Sequence, residues 1–503
     1  MSDGTGSNRR DFLGNLLKSA VGCAVAGRGS AQVDAQLADL RRRPRPPRPV
    51  RTKNVRVIQS PTSAPSSAKA LIGLSDLAWL GMCHAPNAGF SYNEGQIAVR
   101  YVGGERRVLM AKWHQKDATN GWVGNLAELR LPALAETSDL SQAMTVVREW
   151  PNWNWVPTGD LLAQVANGWE IGGLWWDESQ QVVWYTVYPY YGPNAVTPFL
   201  GATRLNDNGT VTRYGPWYYI SKTDQRFRKV SRWILPIPPS AQGDCGGRTV
   251  AIGAAYIGAS GGMPVHWGPG LTALRLPDLG STAPVEAGVP LMDYSPGAGG
   301  LAAPWFHCRR EADYRTLNSS GGAIPAPING EGFWQASADN VTGVAWIETA
   351  TRHGLMLIGQ RTSHVTWYGF PDQYNTTAPD GTTIRLPLPE GVSVDTMKPS
   401  QGSTSYHSDG WQSACWRFDP AQIREVARGQ RKASADGMRP ALLGQWHLRW
   451  TKIPRPLKQP YVYSGFGTAI VDSAANQLVW VQARSLLRGQ SVLPTVQVFA
   501  LPE

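Results

Sequence analysis

An all-β chain, and within that class a β-propeller most simply read as five-bladed, is what three features of this sequence predict. Short apolar runs bounded by Gly-rich turns recur five times, each time as strand, turn, strand, longer loop, strand. The composition agrees: 54 Gly and 38 Pro supply turns, while 42% hydrophobic against 17% charged residues supplies an ordered, buried body. Finally, one such small sheet cannot cover both of its own faces, so neighbouring repeats must stack into a radial array.

The first repeat is GQIAVRYVGGERRVLMAKW (95–113), with apolar runs Ile97–Val99 and Val108–Ala111 either side of Gly103-Gly104-Glu105-Arg106. Its third strand is GNLAELRLP (124–132), where Leu126, Glu128 and Arg130 alternate with Ala127, Leu129 and Leu131. The second begins at Gly172 (GGLWWDESQQVVWYTVYP) and closes with LGATRLNDNG (200–209). The third begins at Val250 (VAIGAAYIGASGGMPVHWG) and closes with GLTALRLP (270–277). The fourth, GVAWIETATRHGLMLIGQ from Gly343, closes with WQSACWRFDP (411–420), and the fifth, GTAIVDSAANQLVWVQA from Gly467, closes with PTVQVFALP (494–502). KALIGLSDLAWLGMCHAP, at the start of the body, reads as a strand at the entrance or ring-closing position. FDPAQIREVARGQ (418–430) reads as a short helical insertion in or after blade four, on the outside of the ring. Asp419 and Pro420 start it, Ile423 and Val426 form its apolar stripe, and Gly429 stops it.

The N-terminus reads as an address. Asn8-Arg9-Arg10-Asp11-Phe12-Leu13 resembles a twin-arginine export motif, followed by a moderately apolar stretch too short to span a bilayer. Residues 1–31 are therefore expected to be a signal peptide. Residues 32–67 are expected to be an Arg/Pro/Ser-rich linker, with five arginines in the nine positions 41–49, and residues 68–503 the propeller. Export places the protein in the periplasm or outside the cell; a lipid-anchored form through Cys23 is the alternative. The formal net charge of +11 is partly local to the arginine run. The body carries no concentrated basic stripe, so no nucleic-acid partner and no membrane span are expected, and the chain reads as a monomer. Cys83, Cys245, Cys308 and Cys415 allow either two disulfides or free buried thiols, and no CxxC pair supports structural zinc.

In a propeller the loop entering each innermost strand lies at one rim, where ligands bind. Asn93 and Glu94 precede the first strand of blade one, and Trp169 and Glu170 that of blade two. Asp244 to Arg248 precede Val250, while Glu331 and Trp334 precede blade four. His364 and His407 flank strand ends in blade four, placed so that they could meet at one rim; His353, in a turn, reads as exposed. Glu149-Trp150-Pro151-Asn152-Trp153-Asn154-Trp155 places three tryptophans on one face, as filler for the next blade or as a stacking surface for sugar rings.

The blade phrases, the helix phrase and the terminal IVDSAANQLVWVQ…PTVQVFALP resemble a group of secreted bacterial five-bladed propeller proteins of unassigned activity. The resemblance implies the fold and export; it implies no catalytic residue. HExxH, Walker, GxGxxG and Asp-box motifs are absent from the sequence.

The functional expectation is an exported propeller that recognises, with or without cleaving, an extracellular or envelope glycan. Glycoside hydrolysis needs two carboxyl groups roughly 5–10 Å apart; Glu94, Glu170 and Glu331 are the candidates, with Asp76 in reserve. Asn93, Trp169, Arg248, Trp334, His364 and His407 are the candidate binding residues. A non-catalytic protein- or glycan-binding scaffold is the first alternative, and a lyase or metal-dependent enzyme the second. The sequence leaves the cofactor unknown: twin-arginine export carries prefolded cargo both with and without one.

Overall fold

The structure is a computed structural model. It describes residues 69–90, 96–112, 121–134, 142–155, 169–189, 198–219, 232–254, 270–293, 340–362, 411–433, 437–438, 440–446, 466–488 and 491–503, together with short strands at 115–117, 306–307, 316–317, 323–324, 366–368, 375–377, 383–385 and 406–408. The expected signal peptide and linker lie outside these residues.

In chain order, β1 (Ala70–Leu71) and β2 (Ala78–His84) precede blade one, which is β3 (Ile97–Val102), β4 (Glu105–Ala111), β5 (Asn125–Arg130) and β6 (Thr145–Pro151). Blade two is β7 (Trp169–Asp177), β8 (Val182–Pro189), β9 (Pro198–Leu205) and β10 (Val211–Tyr218). Blade three is β11 (Trp233–Pro236), then α1 (Pro239–Gln242), β12 (Val250–Ala254), β13 (Gly270–Leu274) and β14 (Val289–Asp293). Blade four is β15 (Asn340–Glu348), β16 (Arg352–Thr362), β17 (Trp411–Phe418), α2 (Pro420–Ala427) and β18 (Ala441–Trp446). Blade five is β19 (Phe466–Asp472), β20 (Gln477–Arg488) and β21 (Ser491–Ala500), and its fourth strand is β2.

Each blade has four antiparallel strands, blade four adding the short parallel β1, and the first strands β3, β7, β11, β15 and β19 touch in that cyclic order around the centre. The chain is a five-bladed β-propeller closed by pairing its first long strand with its last: Cys83 lies opposite Val496 and His84 opposite Thr495. The expected innermost strand of blade three is corrected. That strand is Trp233–Pro236, which packs against β7 and β15, and Val250–Ala254 is the second. Three apolar residues ended by Pro236, with Pro238 and Pro239 close behind, give too short a run to register as a repeat start.

There are five hydrophobic clusters, one for each seam between blades. Successive residues of a strand point to opposite faces, so a blade feeds two seams at once. In β20, Leu478 and Trp480 face blade four while Val479 and Val481 face blade one. This is why the strands read as nearly continuous apolar runs rather than as polar–apolar alternation. Trp150 and Trp153 are fully buried between blades one and two, which settles them as filler; Trp155 is half-buried. α2 carries the expected cap, the Asp419 carboxylate accepting from Ala421 N at 2.8 Å, and Gly429 ends it at φ +72°. Its Ile423 and Val426 are buried in the seam between blades three and four, so the helix is a wedge rather than an outer decoration.

The seams are also stitched by hydrogen bonds that recur around the ring. The last residues of each fourth strand bond to the connection between third and fourth strands of the next blade. These are His84 N to Gln142 O (2.9 Å), Trp150 Nε1 to Asn206 O (3.0 Å), Val285 N to Tyr218 O (2.7 Å) and Asp293 N to Ala433 O (2.8 Å). Between blades four and five the equivalent connection is discontinuous, because the fourth strand of blade five comes from the N-terminal part of the chain. There β1 pairs in parallel with Arg352 and His353, Ile72 is buried, and Arg417 Nη1 donates to Ile72 O at 2.6 Å.

Glycine permits the closest approach of the inner strands. A Cβ at Gly343 would lie 2.6 Å from Gly467 O and 2.8 Å from Ala469 N, and one at Gly173 2.8 Å from Ile234 N. The obstacles are backbone atoms, which cannot rotate away. Gly343→Val is therefore expected to lower stability by about 1–3 kcal/mol through overpacking, read as a lower urea midpoint, whereas Val at the turn residue Gly280, which has open space, should change it far less.

Candidate functional site

The two ends of the ring differ. Because strands alternate in direction, the connections entering each blade and those between second and third strands share one face, here called the entry face. The others share the opposite face. On the opposite face most turns are tight: 103–104, 178–181, 206–210, 349–351 and 473–476. Gly103 and Gly104 have φ of +58° and +80°, the two-residue hairpin geometry that only glycine adopts easily. Asp177 closes the next turn by accepting from Ser179 N (2.9 Å) and Gln180 N (3.2 Å). The entry face instead carries the connections 152–168, 294–339, 363–410 and 447–465. Connections of such length concentrate where a fold carries function.

Trp169 and Glu170 open β7, paired in register with Pro189 and Tyr188 of β8, so they stand at the entry face. His407 lies in the short strand Tyr406–Ser408, opposite Trp367 of Thr366–Tyr368, within the 363–410 connection on the same face. Asn93, Glu94, Glu331, Trp334 and His364 lie outside the described residues.

Arg248 is elsewhere. It follows the innermost strand of blade three instead of entering it, which puts it on the opposite face. Its guanidinium is held by backbone carbonyls, Nη1 to Cys245 O at 3.3 Å and Nη2 to Ala287 O at 3.4 Å. Asp76 is a turn-capping residue, its carboxylate accepting from Gly73 N at 2.7 Å and lying 3.3 Å from Arg352 Nε. Both are explained by local structure.

The opposite face holds most of the polar organisation among the described residues. Asp244 lies 3.7 Å from both Arg424 and Arg428 of the α2 region, tying blade three to blade four. Glu348 takes hydrogen bonds from Lys69 (2.9 Å) and Ser240. Burial pushes its carboxyl upward, but these two bonds and the charges of Lys69 and Arg424 together hold it below its ordinary value.

His353, expected to be exposed, is half-buried where β1 crosses β16. Burial lowers its pKa below 6.5; Asp419 and Glu348 pull it back up, and Arg424 and Lys69 push it down. The unfolded chain thus binds this proton more readily than the folded one. The resulting stability is full above 6.5 and is lost as pH falls through that value toward the lowered folded pKa. His353→Gln should flatten the fall in urea midpoint between about pH 7 and pH 5, measured at constant ionic strength.

Cys83, Cys245 and Cys415 are free and buried. Burial pushes the Cys83 thiol up to about 12 and Cys245 to about 11, and raises Cys415 as well, so at neutral pH none is a thiolate nucleophile. Among the described residues there is no group of three His, Cys, Asp or Glu able to hold a metal ion, and no helix long and apolar enough to cross a membrane. No protein-family model matches the chain, and no curated protein matches it.

Proposed function

We propose that the protein is an exported, monomeric propeller whose entry face binds a glycan. The observation that carries the reading is that the two longest connections between described strands, 294–339 and 363–410, both start and end on the face where β7 begins with Trp169 and Glu170. The sequence adds an amide, two acids and an aromatic to the same set of entry segments: Asn93, Glu94, Glu331 and Trp334. Aromatic faces stack on sugar rings, and paired carboxyl groups are the chemistry of glycosidic cleavage. Glu94, Glu170 and Glu331 are the acids of the catalytic form of this proposal; the binding form needs only the aromatic and amide groups. Arg248 is no longer part of it.

One experiment separates the forms. The protein is passed over immobilised neutral and anionic polysaccharides, and released products are read by mass spectrometry. Retention lost in Trp169→Ala but kept in Arg248→Ala supports the entry face. Products that vanish in Glu170→Gln or Glu94→Gln establish cleavage, and their mass distinguishes hydrolysis from elimination. Neither retention nor products on any polymer overturns the glycan reading.

A further inference from the structure

We infer that a buried polar row, His84–Thr495–Gln482, is the register key that aligns the ring-closing strand. β2 must find β21 across almost the whole chain, and both faces of the resulting sheet are covered by other blades. Apolar contacts alone would tolerate a slip, since neighbouring apolar residues are interchangeable in such a seam.

The row removes that tolerance. His84 lies opposite Thr495, and Thr495 opposite Gln482, so the three side chains share one face across three strands. The exposures are 1% for His84, 1% for Thr495 and 0% for Gln482. Gln497, two residues along, donates from Nε2 to Gln482 Oε1 at 3.2 Å. His84 Nδ1 lies 2.6 Å from the Ala85 carbonyl, which can only accept, so that nitrogen carries the proton. On the blade-four side of β21 the order is Leu493, Thr495, Gln497, Phe499, polar residues bracketed by apolar ones. A two-residue slip in one direction buries His84 against Leu493. A one-residue slip turns it into the apolar cluster of Val479, Val481, Val496 and Val498. Burying a polar ring without polar neighbours costs about 1–3 kcal/mol, and fixing register is the best-attested use of buried polar groups. The key concerns closure of the fold and is independent of what the entry face binds.

The test uses the native Cys83 as reporter in the full chain. In the native register Cys83 faces residue 496; in the slip that His84 opposes, it faces residue 494. Val496→Cys and Pro494→Cys are each refolded under oxidising conditions, with the disulfide located by peptide mass mapping. Both are then repeated with His84→Leu and with His84→Gln. The expected result is a link at 496 alone with His84, a link at 494 appearing with His84→Leu, and return to 496 alone with His84→Gln. Linkage confined to 496 in the His84→Leu chain overturns the inference. Failure of both substituted chains to fold overturns it as well, because glutamine keeps a polar group and would be acting only as lost packing.

Discussion

Asp472→Ala should cost about 3–5 kcal/mol, the largest effect expected from a single side chain at the blade five–blade one seam. Asp472 ends the inner strand of blade five with 3% of its side chain exposed, and Arg106 Nε of blade one lies 2.9 Å from its Oδ2. Tyr101 OH donates to the same oxygen at 2.9 Å, Ala475 N lies 3.3 Å from Oδ1, and Arg106 also reaches Gln477. One carboxylate therefore holds a turn of its own blade and two side chains of the next. Removing it leaves a guanidinium only 18% exposed without its counter-charge. The loss would appear as a lower urea midpoint. Tyr101 supplies a local readout: burial, then the hydrogen bond and charge of Asp472, raise its pKa above 10. In Asp472→Ala the phenol should titrate earlier, as followed by ultraviolet absorbance.

Glu128→Ala should be comparably damaging, for a related reason. Arg100 Nη2 and Glu128 Oε1 are 2.6 Å apart with side chains 7% and 3% exposed. The guanidinium lies over Trp150 at 5.2 Å and over Trp176 at 5.1 Å, held between a ring of its own blade and one of blade two. Breaking the pair strands a buried cation, at about 3–5 kcal/mol, while replacing both partners by apolar residues of similar volume is often neutral. Denaturant titration of Glu128→Ala beside the double variant Arg100→Met/Glu128→Leu measures this. The single variant should lose most of its stability margin, and the double should recover much of it.

This pair shows where sequence reading stops. Strand alternation sets Glu128 apart from Ala127 and Leu129 but says nothing of what covers its face. In a propeller that face belongs to the neighbouring blade, and the partner of Glu128 is Arg100 of β3, itself held against Trp150 of β6 and Trp176 of β7. The same limit explains β11: Trp233–Pro236 is recognisable only by its contacts with β7 and β15, so Arg248 was assigned to the wrong end of the ring. What could be read was local. The apolar runs of β3, β7, β15 and β19 located four inner strands, and Asp419, Pro420 and Gly429 delimited α2. Entry-face chemistry was readable only as residue types at corresponding positions, because no spacing within a single segment brings Glu94, Glu170 and Glu331 together.

The ring is closed by its first long strand, and native-state hydrogen exchange tests that closure directly. If β2 completes blade five, the amides of Met82, Cys83 and His84 exchange at the same slow rate as those of β20 and β21, through global unfolding. Fast, loop-like exchange of β2 beside fully protected β20 and β21 would contradict the closure, and with it the five-bladed ring as drawn.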